Sequence, residues 1–475
     1  MHSAIAMEQH AAGTDLLLVP SDSADPRTLS CIHGLDSWAE RHLIELRHLM
    51  QPGNRLVLIT PTPISNACLD AVLQLMPAAP PHWWRCRLNC ISLNDHSARS
   101  LTAKLLERPR LLDQLATQLR PGSVLACYSV SEQEASLAQR LQLQLDGSPA
   151  ELAPLGSKAG SAQVFEALGL PHPRTTQLCQ SLQELGDAIE ALALSHQDIG
   201  QVVVKLNDMA GGRGNAPLNL SFNSWRLQSP GQRRQSLDAA LEALAMPLPH
   251  WQEELQRHGA IAQELLTASS GGLSSPSVQL WINTSGAVEI VSTHEQCLGG
   301  PHGQSFKGCR FPARQAYAQE VMAMGEHLGR HLAKLGCRGP VLLDLLARRR
   351  QQGWQLWAIE INLRKGGTTH PFQLAATATG AGFDRSSGQL LNSDGRAVFY
   401  EASDELHQPP WRGLLPEQLI DALVQRGVYF SSASRRGCIP MRLGALSEHG
   451  LLGATSVGHS RRDAALLMQQ LMAVR

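Results

Sequence analysis

The sequence predicts a chain of mixed α/β and α+β class that opens with a small doubly wound α/β domain. Two observations predict that domain: strands alternate with amphipathic helices, and the strands are apolar on both faces, as buried parallel strands are. A third observation predicts different units beyond it. From residue 201 onward the chain shows a glycine-rich loop between two strands, then a long hairpin whose strands carry facing carboxylates.

The first strand is Asp15-Leu-Leu-Leu-Val-Pro20, followed by a helix from about Ser37 to Met50 with apolar residues at Trp38, Leu43, Ile44, Leu46 and Leu49. Arg55-Leu-Val-Leu-Ile-Thr60 is the second strand, and a helical segment runs from about Ser65 to Leu75. Ser123 to Tyr128 is a further strand, followed by a helix from about Glu132 to Leu141. Together they predict the α/β domain over residues 1 to about 152. No G-x-G-x-x-G follows the first strand, so no dinucleotide is assigned to it. Around Pro154-Leu-Gly156 the character changes, and Ser157 to Leu168 reads as a helix stopped by Gly169 and Pro171. Gln201 to Leu206 is a strand, Ala210-Gly-Gly-Arg-Gly-Asn215 a loop, and Ala216 to Phe222 a second strand. The last segment, from about Ala381, holds helices near Pro416 to Arg426 and Arg462 to Met472.

The 475 residues exceed one ordinary core and call for two to four domains. Lys and Arg total 41, as do Asp and Glu, and aromatic residues are 4% of the chain. That balance argues against nucleic acid or an acidic membrane surface as the partner. The ten cysteines are scattered and read as small hydrophobes of a reducing cytosol. With no signal-like N-terminus and no spanning apolar run, a cytoplasmic location is expected.

Chemistry concentrates in the hairpin from Gly339 to Leu363, whose turn centres on Gln351-Gln352-Gly353. That centre places Asp344 opposite Glu360, with Asn362 on the face of Glu360. Two carboxylates about 5 Å apart repel by roughly 3 kcal/mol at an effective dielectric near 20. Buried sheet answers this by protonating one acid or placing a cation between them. Asp344, Glu360 and Asn362 are a hard-oxygen set suited to Mg²⁺ or Mn²⁺ bridging phosphates. The plainer reading is a lysine-paired or solvent-facing sheet end.

Lys205 and the glycines Gly211, Gly212 and Gly214 compose a phosphate cradle between two strands, or a plain glycine hairpin; the loop is not a Walker A loop. Lys158 opens a helix, where a cation is dipole-unfavourable unless an anion arrives. The run Gln263-Glu264-Leu265-Leu266 could offer its backbone to an adenine edge, or be an ordinary strand. The loop after the hairpin, Arg364-Lys-Gly-Gly-Thr-Thr-His-Pro371, is basic and hydroxyl-rich, and Arg364 could offset a transferring phosphoryl group. His294 and Gln296, Lys307 and Arg310, and Thr368, Thr369 and His370 are candidate substrate-pocket residues, with solvated loops as the alternative.

In this order Lys158, Lys205 with its glycine loop, Gln263-Glu264, Asp344 and Glu360-x-Asn362 resemble the ATP-grasp superfamily. The match is closest to the pheganomycin-type peptide ligases, through Glu360-Ile-Asn-Leu-Arg-x-Gly-Gly-Thr-Thr-His-Pro371, Ser292-Thr-His-Glu-Gln296, Leu298-Gly-Gly-Pro301, Gly308-Cys-Arg-Phe-Pro312, Gly34 with Glu40-Arg41, Lys104 to Pro109 and Gly444 to Gly450. The resemblance covers nearly the whole chain. It implies a Rossmann-like pre-ATP-grasp domain over 1–152, an ATP-grasp domain over 153–380 with lobes of about 153–265 and 266–380, and a small C-terminal α+β domain over 381–475 that caps the acceptor side or forms a homodimer. It further implies ATP between the lobes, Lys158 and Lys205 on its phosphates, Glu264 and Leu266 at the adenine, and Asp344, Glu360 and Asn362 on Mg²⁺. Two departures stand out: Thr267 to Ser285 holds no acid for the ribose, and Leu342 occupies a position where some relatives have an arginine, a charge that Arg310 or Arg364 would supply. The activity implied is an ATP-dependent carboxylate–amine ligase acting on a small-molecule acid and an amine or peptide through an acyl phosphate. A small-molecule kinase of the same fold and a non-catalytic ATP-binding protein are the alternatives.

Overall fold

The computed structural model describes every residue except 1–10, 77–80, 210–213, 221–224, 226–227, 245, 268–271, 301–302 and 475. Near the N-terminus, strands β1 (Asp15–Leu18), β2 (Arg55–Thr60), β3 (Leu88–Ser92), β4 (Val124–Ala126) and β5 (Gln144–Leu145) form a parallel sheet in the order β3-β2-β1-β4-β5. Alternate residues enter cores on opposite faces: Leu16, Leu18, Leu56 and Leu58 on one, Leu17, Val19, Val57 and Ile59 on the other. This is why β1 and β2 read as continuously apolar. The half-exposed edge strand β3 and the two-residue β5 lack that signal. The segment expected as an α-helix near Ser37 to Met50 is wound as a 3-10 helix over Leu35–Met50.

Glu40 lies on this 3-10 helix, buried, and accepts the Gly444 amide at 3.1 Å. Burial pushes its carboxyl up to about 7, against the opposing pull of that amide. Its folded pKa thus exceeds the unfolded value, so the ionised form costs stability above pH 7, and the cost vanishes below about pH 4.5. A shift of this size corresponds to roughly 3 kcal/mol. Glu40→Gln is therefore expected to raise the thermal midpoint at pH 8 and leave it unchanged at pH 4; equal effects at both values would remove this account.

Next along the chain, β6 (Gln201–Leu206), β7 (Ala216–Asn219) and β8 (Ala260–Glu264) form an antiparallel sheet in the order β7-β6-β8. Helices Leu182–Ser195, Pro230–Glu242 and Leu248–His258 supply Leu185, Leu237 and Trp251 to its core.

The largest sheet begins with β9 (Leu273–Ser274), β10 (Pro276–Ile282), β11 (Val288–Gly299), β12 (Ser305–Phe311), β13 (Gly339–Arg349) and β14 (Trp354–Asn362). Helix Gln315–Lys334 packs Val321, Leu328 and Leu332 on one face. Strands β15 (Gly382–Asp384), β16 (Gln389–Leu391), β17 (Ala397–His407), β18 (Gly437–Met441) and β19 (Leu451–Gly458) extend the same sheet, because β17 pairs with β12. A buried ion pair ties the chain's two ends of this assembly together: Lys365 Nζ, just after β14, lies 2.9 Å from Glu45 Oε1 and 3.9 Å from Asp146 Oδ2.

Candidate active site

The β13–β14 hairpin pairs Asp344 with Glu360 and Leu342 with Asn362. The route to this register differs from the one the turn suggested. The tight turn pairs Arg349 with Trp354 and Leu345 with Ala358, and a bulge then intervenes, leaving Ile359 without a cross-strand partner. In an unbroken ladder Asp344 would face Ile359, and Glu360 would face the core residue Leu343. The extra residue turns Glu360 onto the open face, an effect bulges have next to active sites.

That face floors a cleft of about 820 Å³ between the small antiparallel sheet and the large sheet. Asp344 accepts from Gln296 Nε2 at 2.5 Å and from Asn362 Nδ2 at 3.1 Å. Burial, then the charge of Glu360, pushes its carboxyl up to about 7, against Arg364 and the two amides. That direction favours a proton on the pair, which relieves the repulsion. A cation placed among Asp344, Glu360 and the Asn362 oxygen would relieve it the other way, and the hard-oxygen donor set fits Mg²⁺.

Lys158 is the first residue of helix Lys158–Leu168, after the N-cap Ser157. Its buried ammonium donates to the Met209 carbonyl at 2.5 Å and lies 3.7 Å from Glu360 Oε1. Lys205 on β6 donates to Gln263 Oε1 on β8 at 2.7 Å. Burial, with Lys158 adding to it and Glu360 opposing, brings its ammonium down to about 8. Glu264 and Leu266 line the same cleft, as do Gln296, Thr368 and Arg364. Arg364 donates to Tyr128 Oη at 2.9 Å, and Thr368 Oγ1 is buried with no partner among the described residues.

Other expected residues are placed elsewhere. Gly211 and Gly212 lie outside the described residues. Gly214 sits at φ +76° with its carbonyl accepting from Trp251 Nε1 at 3.1 Å, off the cleft lining. His294 is a core residue: it bonds Tyr400 Oη among Phe311 and Phe372, and burial takes its imidazole down to about 3. Thr369 is buried, bonded to Gln279 Oε1 at 2.9 Å. His370 packs on His42 with ring centroids 4.3 Å apart, outside the cleft lining. Lys307 is exposed and 3.3 Å from Glu405. Arg310 does not reach the cleft either, since strand alternation puts it on the sheet's other face, in a cross-strand row with Glu295 and Glu401, 3.1 Å from Glu401 Oε2. Conversely, Asp22, Arg41, Tyr128, Asp404 and Arg442 line the cleft without having been singled out for it.

A metal-suited carboxylate pair on the floor of a cleft, with Lys205 reaching in from the small sheet and Lys158 from the helix packed on the large one, is the arrangement of an ATP-grasp enzyme. The comparisons bear on which kind. The chain is 30% identical over 473 residues to L-propargylglycine–L-glutamate ligase of Streptantibioticus cattleyicolor, covering 96% of this chain and 94% of that one. It belongs to this family of ATP-grasp carboxylate–amine ligases. No family model matches the chain. Among solved structures, its fold resembles N5-carboxyaminoimidazole ribonucleotide synthetase in complex with ADP, with a TM-score of 0.55 at 12% identity, covering 99% of this chain and 98% of that one. It also resembles the biotin carboxylase domain of Hydrogenobacter thermophilus 2-oxoglutarate carboxylase with MgADP, with a TM-score of 0.52 at 13% identity, covering 84% and 76%. Among the described residues no helix is long and apolar enough to cross a membrane.

Proposed function

We propose that this protein joins the carboxylate of one amino acid to the amine of another, using ATP and Mg²⁺. The facing of Asp344 and Glu360 on the cleft floor, within reach of Lys158, carries the reading. Residues 153–380 would be the ATP-grasp unit, 1–152 the preceding domain and 381–475 a cap on the acceptor side.

In this reading Lys158 and Lys205 offset the phosphate charge, and the backbone of Glu264 and Leu266 faces the adenine. Asp344, Glu360 and Asn362 would hold Mg²⁺, which neutralises the β- and γ-phosphate oxygens when bound. An oxygen of the donor carboxylate attacks the γ-phosphorus, and the bond to the ADP oxygen breaks. The acceptor nitrogen then attacks the acyl carbon, inorganic phosphate leaves with the C–O bonding pair, and the nitrogen loses its proton. The chain's own work is positioning and charge offset. Arg364, held by Tyr128 beside the carboxylates, would steady the acyl phosphate. The relative named above ligates L-propargylglycine and L-glutamate, which supports amino acids on both sides.

The test is mass spectrometry of the protein with ATP, Mg²⁺ and a pool of amino acids and dipeptides that includes those two compounds. The expected result is a product lighter by one water than the sum of two pool members. A phosphorylated acceptor with ADP and no free phosphate would replace the ligase with a kinase.

A further inference from the structure

Beyond the carboxylates the cleft runs into a second corner, built by residues far apart in the chain: Asp22, Trp38, Arg41, Tyr128, Asp404 and Arg442. Arg41 projects from the 3-10 helix with its guanidinium carbon 5.0 Å from the Trp38 ring centroid and 5.6 Å from that of Tyr128. One of its nitrogens lies 3.1 Å from Asp404 Oδ2. Arg364 lies against the same Tyr128 ring at 5.3 Å, so one phenol carries a guanidinium from each end of the cleft. Such stacking holds a planar cation in place while its edge stays available for a carboxylate.

Asp22 lines the same corner: among the described residues no ion pair links it to Arg41 or Arg364, its hydrogen bond comes from Ser129 Oγ at 3.3 Å, and burial raises its carboxyl against the pull of the Arg364 and Arg41 charges. Behind it Arg442 donates to the Asp404 carbonyl and the His33 carbonyl, each at 2.8 Å. The Nε of Arg442 is buried with no partner among the described residues. The corner therefore holds an arginine with one carboxylate partner, a second carboxylate with no ion pair among the described residues, an aromatic wall and an unpartnered buried donor. None of these is used in placing ATP. A poorly solvated carboxylate without a cation partner is costly unless something pairs with it.

We propose, resting on the ligase reading, that this corner is the recognition site for the acceptor: an α-amino acid whose carboxylate is held by Arg41 and whose amino group is held by Asp22. A zwitterion presents a carboxylate and an ammonium one carbon apart, so one molecule can meet a guanidinium and a carboxylate that line the same corner. Asp22 lines the same cleft as Arg364, Asp344 and Glu360, so the amine it holds shares a cavity with the residues that would hold the acyl phosphate. Before attack the ammonium gives one proton to the Asp22 carboxylate, and the freed lone pair forms the C–N bond. The specificity for a free α-carboxylate would thus come from the N-terminal domain rather than from either lobe over the nucleotide.

The experiment is saturation-transfer NMR and calorimetry on the full chain with MgADP. The probes are L-glutamate, L-propargylglycine and the remaining proteinogenic amino acids, each beside its carboxamide and its N-acetyl derivative. The expected result is that at least one free amino acid binds and that its two blocked forms bind at least ten-fold more weakly. Arg41→Met and Asp22→Asn should each weaken that binding at least ten-fold, Arg41→Lys less, with ADP affinity unchanged. Thermal midpoints identify any variant that fails to fold, and the near-isosteric Asp22→Asn decides the matter if Arg41→Met does. Equal binding of blocked and free forms, unchanged affinity in Asp22→Asn, or no bound amino acid beside bound ADP overturns the proposal. Failure of the unaltered protein to bind ADP would instead condemn the ligase reading.

Discussion

Glu360→Gln is expected to lower turnover by at least about 10³-fold while leaving the protein folded, because it removes a charge that would act on the bound cation and phosphates and keeps the side chain's size. The substitution leaves the side chain's place opposite Asp344 unchanged. It also removes one of two acids whose mutual repulsion helps push Asp344 up to about 7. The metal-free variant should therefore melt no lower than the parent, and Asp344 should fall back toward the usual carboxylate range. Two measurements check this: ADP release with substrates, and the thermal midpoint with and without Mg²⁺ and nucleotide. The parent should gain stability from the pair of ligands and the variant should gain little. Near-normal turnover in Glu360→Gln would sink the metal assignment.

Lys365→Met should cost about 3–5 kcal/mol of stability, the usual result of breaking a buried pair from one side. Burial alone would raise the Glu45 carboxyl, yet Lys365 and Arg47 hold it well below the usual range. Without Lys365, Glu45 would keep only Arg47, 3.6 Å away, of the two cations that hold it down, and would lie buried near Asp146. Lys365→Met combined with Glu45→Leu should recover part of the loss. The readout is the urea midpoint followed by tryptophan fluorescence. A loss under about 1 kcal/mol would show that water reaches the pair.

What the sequence disclosed follows from which physical signals are local. The hairpin was legible because a Gly353 turn and two apolar runs constrain it strongly, but its pairing of Asp344 with Glu360 matches the expected one only because the bulge offsets a turn tighter than the sequence suggested. The apolar strands β1 and β2 were legible because both of their faces are buried. The bulge at Ile359 was not legible, since an isoleucine suits a regular strand as well as a bulged one. Two of the misplacements, His294 and Arg310, share a cause. Each lies on a wide sheet where a strand distant in sequence decides what the side chain meets, and for both that strand is β17, about a hundred residues away, which adjoins β12 and is separated from β11 by it. Arg41, Asp22 and Tyr128 were missed for the same reason on a larger scale. Their chemistry appears only when the N-terminal sheet docks against the loop after β14, a contact with no periodic trace in the sequence.

The unpaired Ile359 makes the hairpin a counting device. Its chemistry depends on whether the ladder absorbs that residue. With Ile359 present and the strand straightened, Glu360 would turn into the apolar layer opposite Leu343. Removal of Ile359 is a different matter: Glu360 would then follow Ala358 directly and take the place opposite Asp344, so the deletion should keep the two carboxylates facing each other on a straighter strand. Substitutions at the exposed turn should be tolerated freely, since they leave this register alone. Within this family the residue between Ala358 and Glu360 should therefore be free to come and go while the acids stay paired.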